Sequence, residues 1–108
     1  MPPARPALWT WASRTLLPYW AAAGFDPARR LFEERLRPDG APDRPGFLRL
    51  RVVARQTYVF SHAATLGLGG NAPLLEAGAE AMERAWVQPE GGHADLLTEA
   101  GAVLDPTA

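Results

Sequence analysis

The feature that most constrains this fold is a segment that is apolar on nearly every face of a helix. It runs from Val52 to Leu66 and reads "VVARQTYVFSHAATL". A helix of this kind is stable when other elements cover it on several sides. The chain must therefore pack further structure around this segment. Any polar side chain on it then needs either a water-filled cavity or a polar partner.

The polar residues of this helix fall on one stripe. Arg51, Arg55, Tyr58 and His62 stand at i, i+4, i+7 and i+11, which places them on the same face of an α-helix. A guanidinium is a rigid group with five donors, suited to sugar hydroxyls, carboxylates or phosphate. One interpretation of the stripe is therefore a ligand-facing surface.

The same stripe also has a purely structural interpretation. Carboxylates of the same chain commonly neutralise buried arginines, and Glu33 and Glu34 are candidate partners for Arg51 and Arg55. Tyr58 fits a packing role in which its hydroxyl group is hydrogen-bonded. Both interpretations stay open at this point.

The two histidines do not match a catalytic or metal-binding pattern. His62 lies among alanines, as a core or groove histidine does, and His93 follows two glycines in a turn region. The chain has no cysteine, and its two histidines do not have the spacing of metal ligands. We assign no catalytic residue and expect neither a metal nor a cofactor.

Helical periodicity and turn residues divide the rest of the chain. They predict helices over residues 8–23, 49–66 and 72–87, with a kink or break at Pro18 in the first helix. Gln56 lies one residue off the polar stripe and is expected to bond a neighbouring helix or loop.

Two turn-rich stretches resemble each other and predict hairpin-like excursions. One turns at Pro38–Gly40 and the other at Glu99–Gly101, and Gly40 and Gly101 stand 61 positions apart. A repeated unit of this kind cannot bury its faces alone and needs stacked neighbours.

Composition sets the broad class of the protein. The chain of 108 residues is one domain or part of one, and 47% hydrophobic with 21% charged residues is ordinary for a globular protein. The net charge of -1 gives no reason to expect nucleic acid or a membrane as partner. Ser13, Arg14, Thr15 and Pro18 interrupt the first apolar stretch, so we expect no signal peptide and a soluble, cytoplasmic protein.

Three segments together resemble the N-acylglucosamine 2-epimerase family, which includes mannose isomerases and cellobiose 2-epimerases. They are "RLRVVARQTYVFSHAATLG", "LLPYWAAAGFDPARRLFEERLRPDGAP" with its F-x-E-x-L-x-x-D-G pattern, and "AMERAWVQPEGGHADLLTEAGAVLD". The resemblance implies an all-α fold. In that case the chain would be an N-terminal fragment of an (α/α)6 barrel, with about three helices and two hairpin-like excursions.

The resemblance also implies roles for particular residues. Arg55 matches a family arginine that projects toward the sugar, and Arg51 occupies a position where some members carry an aromatic that touches it. With Tyr58 these are the expected substrate-binding residues. Family members move a proton beside the carbonyl of a ring-opened sugar with two histidines and no metal, and those histidines belong to later helices. His62 does not match a catalytic position.

We therefore expect residues 1–108 to be a single partial domain, the N-terminal portion of a sugar epimerase or isomerase. It would act on mannose- or N-acylglucosamine-like sugars and be inactive alone. Unpaired helical faces would favour a homo-oligomer. Two alternatives are a noncatalytic, self-associating helical module and a glycoside hydrolase. The second needs a pair of carboxylates flanking a glycosidic bond, whereas most acids here lie in the hairpins or on a solvated helix face.

Overall fold

The computed structural model of the protein describes residues 4–68, 71–86 and 92–105. Within these ranges the chain has one continuous helical segment followed by two separate helices. The three predicted helices are therefore confirmed. Val87, the predicted end of the third helix, lies outside the described residues. The helices are α1 (Ala4–Trp11), a π-helical turn (Ala12–Leu16), α2 (Leu17–Ala23), α3 (Leu50–Thr65) and α4 (Ala72–Arg84). The strands are β1 (Phe25–Asp26), β2 (Leu31–Phe32), β3 (Leu48–Arg49), β4 (Leu96–Leu97) and β5 (Val103–Asp105).

The first helical segment changes its winding where a break was predicted. Pro18 lies in the first turn of α2, and the π-helical turn directly precedes that helix. The N–H of Leu17 donates to the carbonyl of Ala12, five residues earlier, so the turn is one residue longer than an α-helical turn. Proline has no N–H and its ring crowds the preceding turn. The wider turn accommodates it while the segment stays helical on both sides.

The expectation of an all-α fold, an N-terminal fragment of an (α/α)6 barrel, is wrong. The turn-rich stretches form two antiparallel sheets, one of β1 and β2 and one ordered β3-β4-β5. Each strand is only two or three residues long. Where the chain reverses, pairing extended segments gives their N–H and C=O groups the partners that a helix would otherwise supply. The described chain is therefore mixed α/β.

The two predicted turns are present and share one hydrogen-bonding pattern at an offset of 61 residues. The N–H of Gly40 donates to the carbonyl of Arg37 at 2.8 Å, and the N–H of Gly101 donates to that of Thr98 at 2.9 Å. Both glycines have left-handed backbone angles, with φ of 89° and 91°. The resemblance seen in sequence is thus a repeat of backbone geometry.

The repeat also includes a shorter chain reversal before each of these turns. Phe25 pairs with Phe32 across β1 and β2, and Trp86 forms an antiparallel bridge with His93, again 61 residues later. Residues 87–91, which lie within the second copy, are outside the described residues. Each copy therefore begins at the end of a helix, α2 or α4, and closes in the same way.

The core lies between α3, α4 and the short strands, including Leu97 of β4. Phe60 of α3 stacks on Phe32 of β2 with ring centroids 6.0 Å apart, and Phe25 meets Phe32 edge to face at 5.3 Å. Aromatic pairs in such arrangements add to the stabilisation from area burial. The buried core side chains are Phe25, Leu31, Phe32, Leu48, Val53, Phe60, Leu74, Ala77, Ala81, Ala85 and Leu97.

Helix α3 is covered on one side rather than all round. Its buried residues are Val53, Phe60 and Ala63. Tyr58 is 70% exposed and Val59 is 47% exposed. The apolar face that carries Val59 borders a cavity. Within the described ranges, no helix is both long and apolar enough to cross a bilayer.

Candidate functional site

A cavity of about 310 Å³ opens between α2, the first hairpin and α3. Its wall is largely apolar and carries one acid, one base and one amide, the composition that small-molecule sites usually have. The lining residues are Leu16, Leu17, Trp20, Glu34, Val52, Arg55, Gln56, Val59 and Phe60. Two other depressions along the first helical segment have Arg14 as their one charged residue among the described lining. Their described linings have fewer charged groups that could bind a ligand, so the cavity is the candidate site.

The α3 face of the cavity follows helical spacing. Val52, Arg55, Gln56, Val59 and Phe60 stand at i, i+3, i+4, i+7 and i+8, the residues that form one broad side of a helix. The predicted polar stripe shares only Arg55 with this side. The predicted stripe and the cavity-facing side of α3 are thus different faces of the helix. The prediction used only the polar residues and left out the apolar residues beside Arg55.

Arg55 is the cation of the cavity wall. Among the described residues, no carboxylate lies within 4.0 Å of its guanidinium, whereas Arg29, Arg30, Arg35, Arg44, Arg49 and Arg51 all form ion pairs. The structural interpretation in which Glu33 or Glu34 neutralises Arg55 is therefore wrong. Within the described part of the chain, Arg55 therefore lines the cavity without an ion-pair partner.

Arg51 lies away from the cavity lining and has a protein partner. Its Nη2 donates to Oδ2 of Asp95 at 2.7 Å, and this hydrogen bond raises the pKa of Arg51. The ion-pair interpretation holds for Arg51, with Asp95 of the second hairpin in place of Glu33 or Glu34. Its role in sugar binding stays a prediction.

Glu33 serves the structure of the first hairpin. Its carboxylate is buried and accepts hydrogen bonds from Arg29 Nη2 at 3.0 Å and Arg44 Nη2 at 3.1 Å. The bond to Glu33 raises the pKa of Arg44. The Glu33 carbonyl accepts from Gln56 Nε2 at 3.2 Å. The expected bond from Gln56 to a neighbouring loop is thus confirmed, and it fixes the hairpin against α3.

Glu34 is the acid of the cavity wall. Its side chain is 1% exposed, and its Oε1 accepts from Arg49 Nε at 2.5 Å. Its other oxygen, Oε2, is buried without a hydrogen-bond partner among the described residues. From the sequence, Glu34 was predicted only as an ion-pair partner. Its place as the glutamate of the F-x-E-x-L-x-x-D-G pattern was the one sequence feature that could have indicated a position at the site.

The remaining predicted residues lie outside the cavity lining. Tyr58 is exposed and stacks on His62, with ring centroids 6.1 Å apart and planes 11° from parallel. His93 meets Trp86 edge to face at 5.0 Å. The cavity therefore has no histidine in its described wall. Among the described residues, no group of three or more potential ligands could hold a metal ion.

Comparison with known proteins adds one match. A family model described as N-acylglucosamine 2-epimerase (GlcNAc 2-epimerase) matches residues 31–108. The matched region begins at the second strand of the first hairpin, and it includes Glu34, Arg55 and both later helices. No curated protein matches the chain.

Proposed function

The chain belongs to the N-acylglucosamine 2-epimerase family, a family of sugar epimerases, and from this premise we propose that it forms the sugar-holding N-terminal portion of a metal-independent epimerase or isomerase. The substrates would be mannose- or N-acylglucosamine-like sugars. Residues 1–108 would form a single partial domain. The observation that carries the proposal is Arg55, an arginine with no carboxylate within 4.0 Å among the described residues, on the wall of a cavity of about 310 Å³.

The chemistry of Arg55 suits this role. A guanidinium stays protonated at any working pH, so it donates hydrogen bonds to sugar oxygens and does not act as a base. Proton removal next to a carbonyl develops negative charge on the carbonyl oxygen. A fixed cation in a largely apolar cavity stabilises that charge more strongly than water does. Trp20 and Val59 supply apolar surface for the carbon face of the sugar.

The same chemistry limits what the 108-residue chain does alone. Epimerisation needs an acid and a base that titrate near the working pH, and histidine is the side chain best suited to both. His62 and His93 contact Tyr58 and Trp86 rather than the cavity. We therefore propose that the chain binds sugar and does not turn it over.

Ligand titration tests this function. N-Acetylglucosamine and mannose are titrated into the 108-residue chain and followed by NMR chemical shifts. We expect saturable binding that Arg55→Ala weakens about tenfold or more, since hydrogen bonds to charged groups contribute roughly 1.5–3 kcal/mol. Arg37→Ala removes the same charge from an exposed hairpin position and is the matched control. Equal affinity in both variants, or turnover of either sugar by the wild-type chain, would contradict the proposal.

The exposed apolar side chains favour a second candidate, a noncatalytic module that associates with copies of itself. Leu8 is 62% exposed, and Trp9 and Trp11 are nearly half exposed on the first helical segment. Clustered exposed apolar residues are typical of interaction surfaces. This candidate predicts a defined oligomer in sedimentation and no sugar affinity, whereas the first predicts sugar affinity whatever the oligomeric state.

We also propose a cellular setting for the protein. We place the protein in the cytoplasm, with a small sugar as its partner and with neither nucleic acid nor a membrane. The net charge of -1 gives no reason to expect a polyanion as partner.

A further inference from the structure

Glu34 has a buried carboxylate oxygen that the described protein leaves without a donor. Its Oε1 is held by Arg49 Nε at 2.5 Å, and its Oε2 has less than 1 Å² exposed and no hydrogen-bond partner. Buried polar atoms are nearly always paired, and an ionised carboxylate accepts through both oxygens. Such an atom therefore calls for a donor other than the described residues.

The place of Glu34 indicates where that donor comes from. Glu34 lines the same cavity as Arg55 and Gln56. Gln56 directs its amide nitrogen to the Glu33 carbonyl, and Arg55 lies beyond ion-pair distance of the Glu34 carboxylate. Because the Glu34 side chain is only 1% exposed, a donor group in the cavity reaches Oε2 once the carboxylate turns toward it.

We propose that Glu34 is a second sugar-binding residue of the cavity. Its buried carboxylate turns toward the cavity when sugar binds, and Oε2 then accepts a hydrogen bond from a hydroxyl of the sugar that Arg55 holds. This inference rests on the proposed function. A sugar hydroxyl both donates and accepts, so adjacent hydroxyls of one sugar satisfy a guanidinium and a carboxylate together. Hydrogen bonds to an ionised group are stronger than those between neutral groups. Glu34 thus selects ligands with a hydroxyl near the group that Arg55 holds.

The repeat supplies a matched control within the chain. Asp95 stands 61 residues after Glu34 and likewise accepts from an arginine near the start of α3, here Arg51 at 2.7 Å. Its side chain is 38% exposed and does not line the cavity. The two acids therefore share an arginine-binding role, and Glu34 is the one that borders the cavity.

The test separates sugar binding from ion pairing. N-Acetylglucosamine is titrated into the 108-residue chain and its Glu34→Gln, Arg49→Gln, Asp95→Asn and Arg55→Ala variants. We expect about tenfold weaker binding in Glu34→Gln and a smaller loss in Arg49→Gln, which removes the same ion pair but keeps the carboxylate. Asp95→Asn should also bind like wild type. In the wild-type chain, the side-chain carboxyl ¹³C resonance of Glu34 should move on addition of sugar. That measurement decides the matter even where Glu34→Gln fails to fold.

Each outcome has one meaning. If Arg55→Ala weakens binding while the Glu34 resonance stays fixed and Glu34→Gln binds like wild type, the role of Glu34 is overturned and the proposed function stands. If Glu34→Gln and Arg49→Gln lose affinity equally and the resonance stays fixed, Glu34 is only the partner of Arg49. If the wild-type chain shows no saturable binding, the proposed function fails and the role of Glu34 fails with it.

Discussion

Thr57 of α3 lies directly over Gly78 of α4. A Cβ atom placed on Gly78 would be 2.0 Å from Thr57 Oγ1 and 2.9 Å from Thr57 Cγ2. Glycine within a helix costs about 1 kcal/mol relative to alanine, and here it lets two helices pack where a methyl group has no room. Gly78 is therefore a packing requirement of the α3–α4 contact.

Gly78→Ala should destabilise the chain although alanine is the better helix former. Overpacking costs about 1–3 kcal/mol, which exceeds the gain in propensity. The free energy of unfolding from urea titration measures it. Thr57→Ala removes both close atoms and leaves a Cβ at 3.0 Å, so the double variant should recover much of the loss. A double variant that merely adds the two single effects would show that Thr57 is not the obstacle.

Phe60→Ala should remove most of the stability of the chain. Phe60 is 2% exposed and stacks on Phe32, and truncating a buried phenylalanine costs about 3–5 kcal/mol. Tyr58→Ala is the matched control, because Tyr58 is on the same helix and 70% exposed. Its effect should stay within about 0.5 kcal/mol. Thermal unfolding followed by circular dichroism compares them, and similar losses in both variants would contradict the described core.

Alanine substitutions at three glycines with φ near 90° should show how much of the loss of stability comes from backbone strain and how much from crowding. A Cβ on Gly46 meets nothing within 4 Å, one on Gly40 lies 2.5 Å from the Tyr19 hydroxyl, and one on Gly101 lies 3.1 Å from Arg84 Nη2. Alanine at any of them costs about 1–3 kcal/mol in backbone strain. We expect Gly40→Ala and Gly101→Ala to lower the melting temperature further than Gly46→Ala. An equal loss at all three would mean that backbone strain alone matters.

The Asp26–Arg29 ion pair should make stability depend on acid pH. The hydrogen bond from Arg29 lowers the pKa of Asp26 below its ordinary value of 3.8. The unfolded chain therefore takes up a proton at higher pH than the folded chain, and this stabilisation is lost as the pH falls from about 3.8 through the folded pKa. Urea unfolding from pH 6 to pH 2 measures it.

Asp26→Asn should accordingly be less stable than wild type at pH 6, and the difference should shrink below pH 4. Glu76→Gln, at an exposed position of α4, changes the same charge and should give a difference that varies less over this range. A constant gap between Asp26→Asn and wild type would exclude the linkage.

The helices were predictable from sequence because their signals are local. Apolar periodicity and the glycine and proline turns suffice for α3, α4 and the two hairpin tips. The sheets were not predictable in the same way, since a two-residue strand has too little pattern to recognise. Pairing of Leu48 with Leu97 depends on tertiary contact between distant segments.

The candidate site was predictable in part. Arg55 stood out as a charged residue within an apolar helix, and it lies on the wall of a cavity. Partner choice was not readable from composition: Glu33 and Glu34 bind Arg29, Arg44 and Arg49 instead of the predicted arginines. Several carboxylates and guanidiniums lie near one another in sequence, and only the fold of the hairpins decides which of them meet.

Both turn-rich units meet at the start of α3. Backbone bonds at their turns match at an offset of 61 residues, while the side chains differ, as with Phe32 in the core and His93 at the surface. Each unit brings one acid to an arginine there: Glu34 of the first unit binds Arg49, and Asp95 of the second binds Arg51. The N-terminal end of α3 is therefore tied to both units, so the position of Arg55 on that helix depends on both.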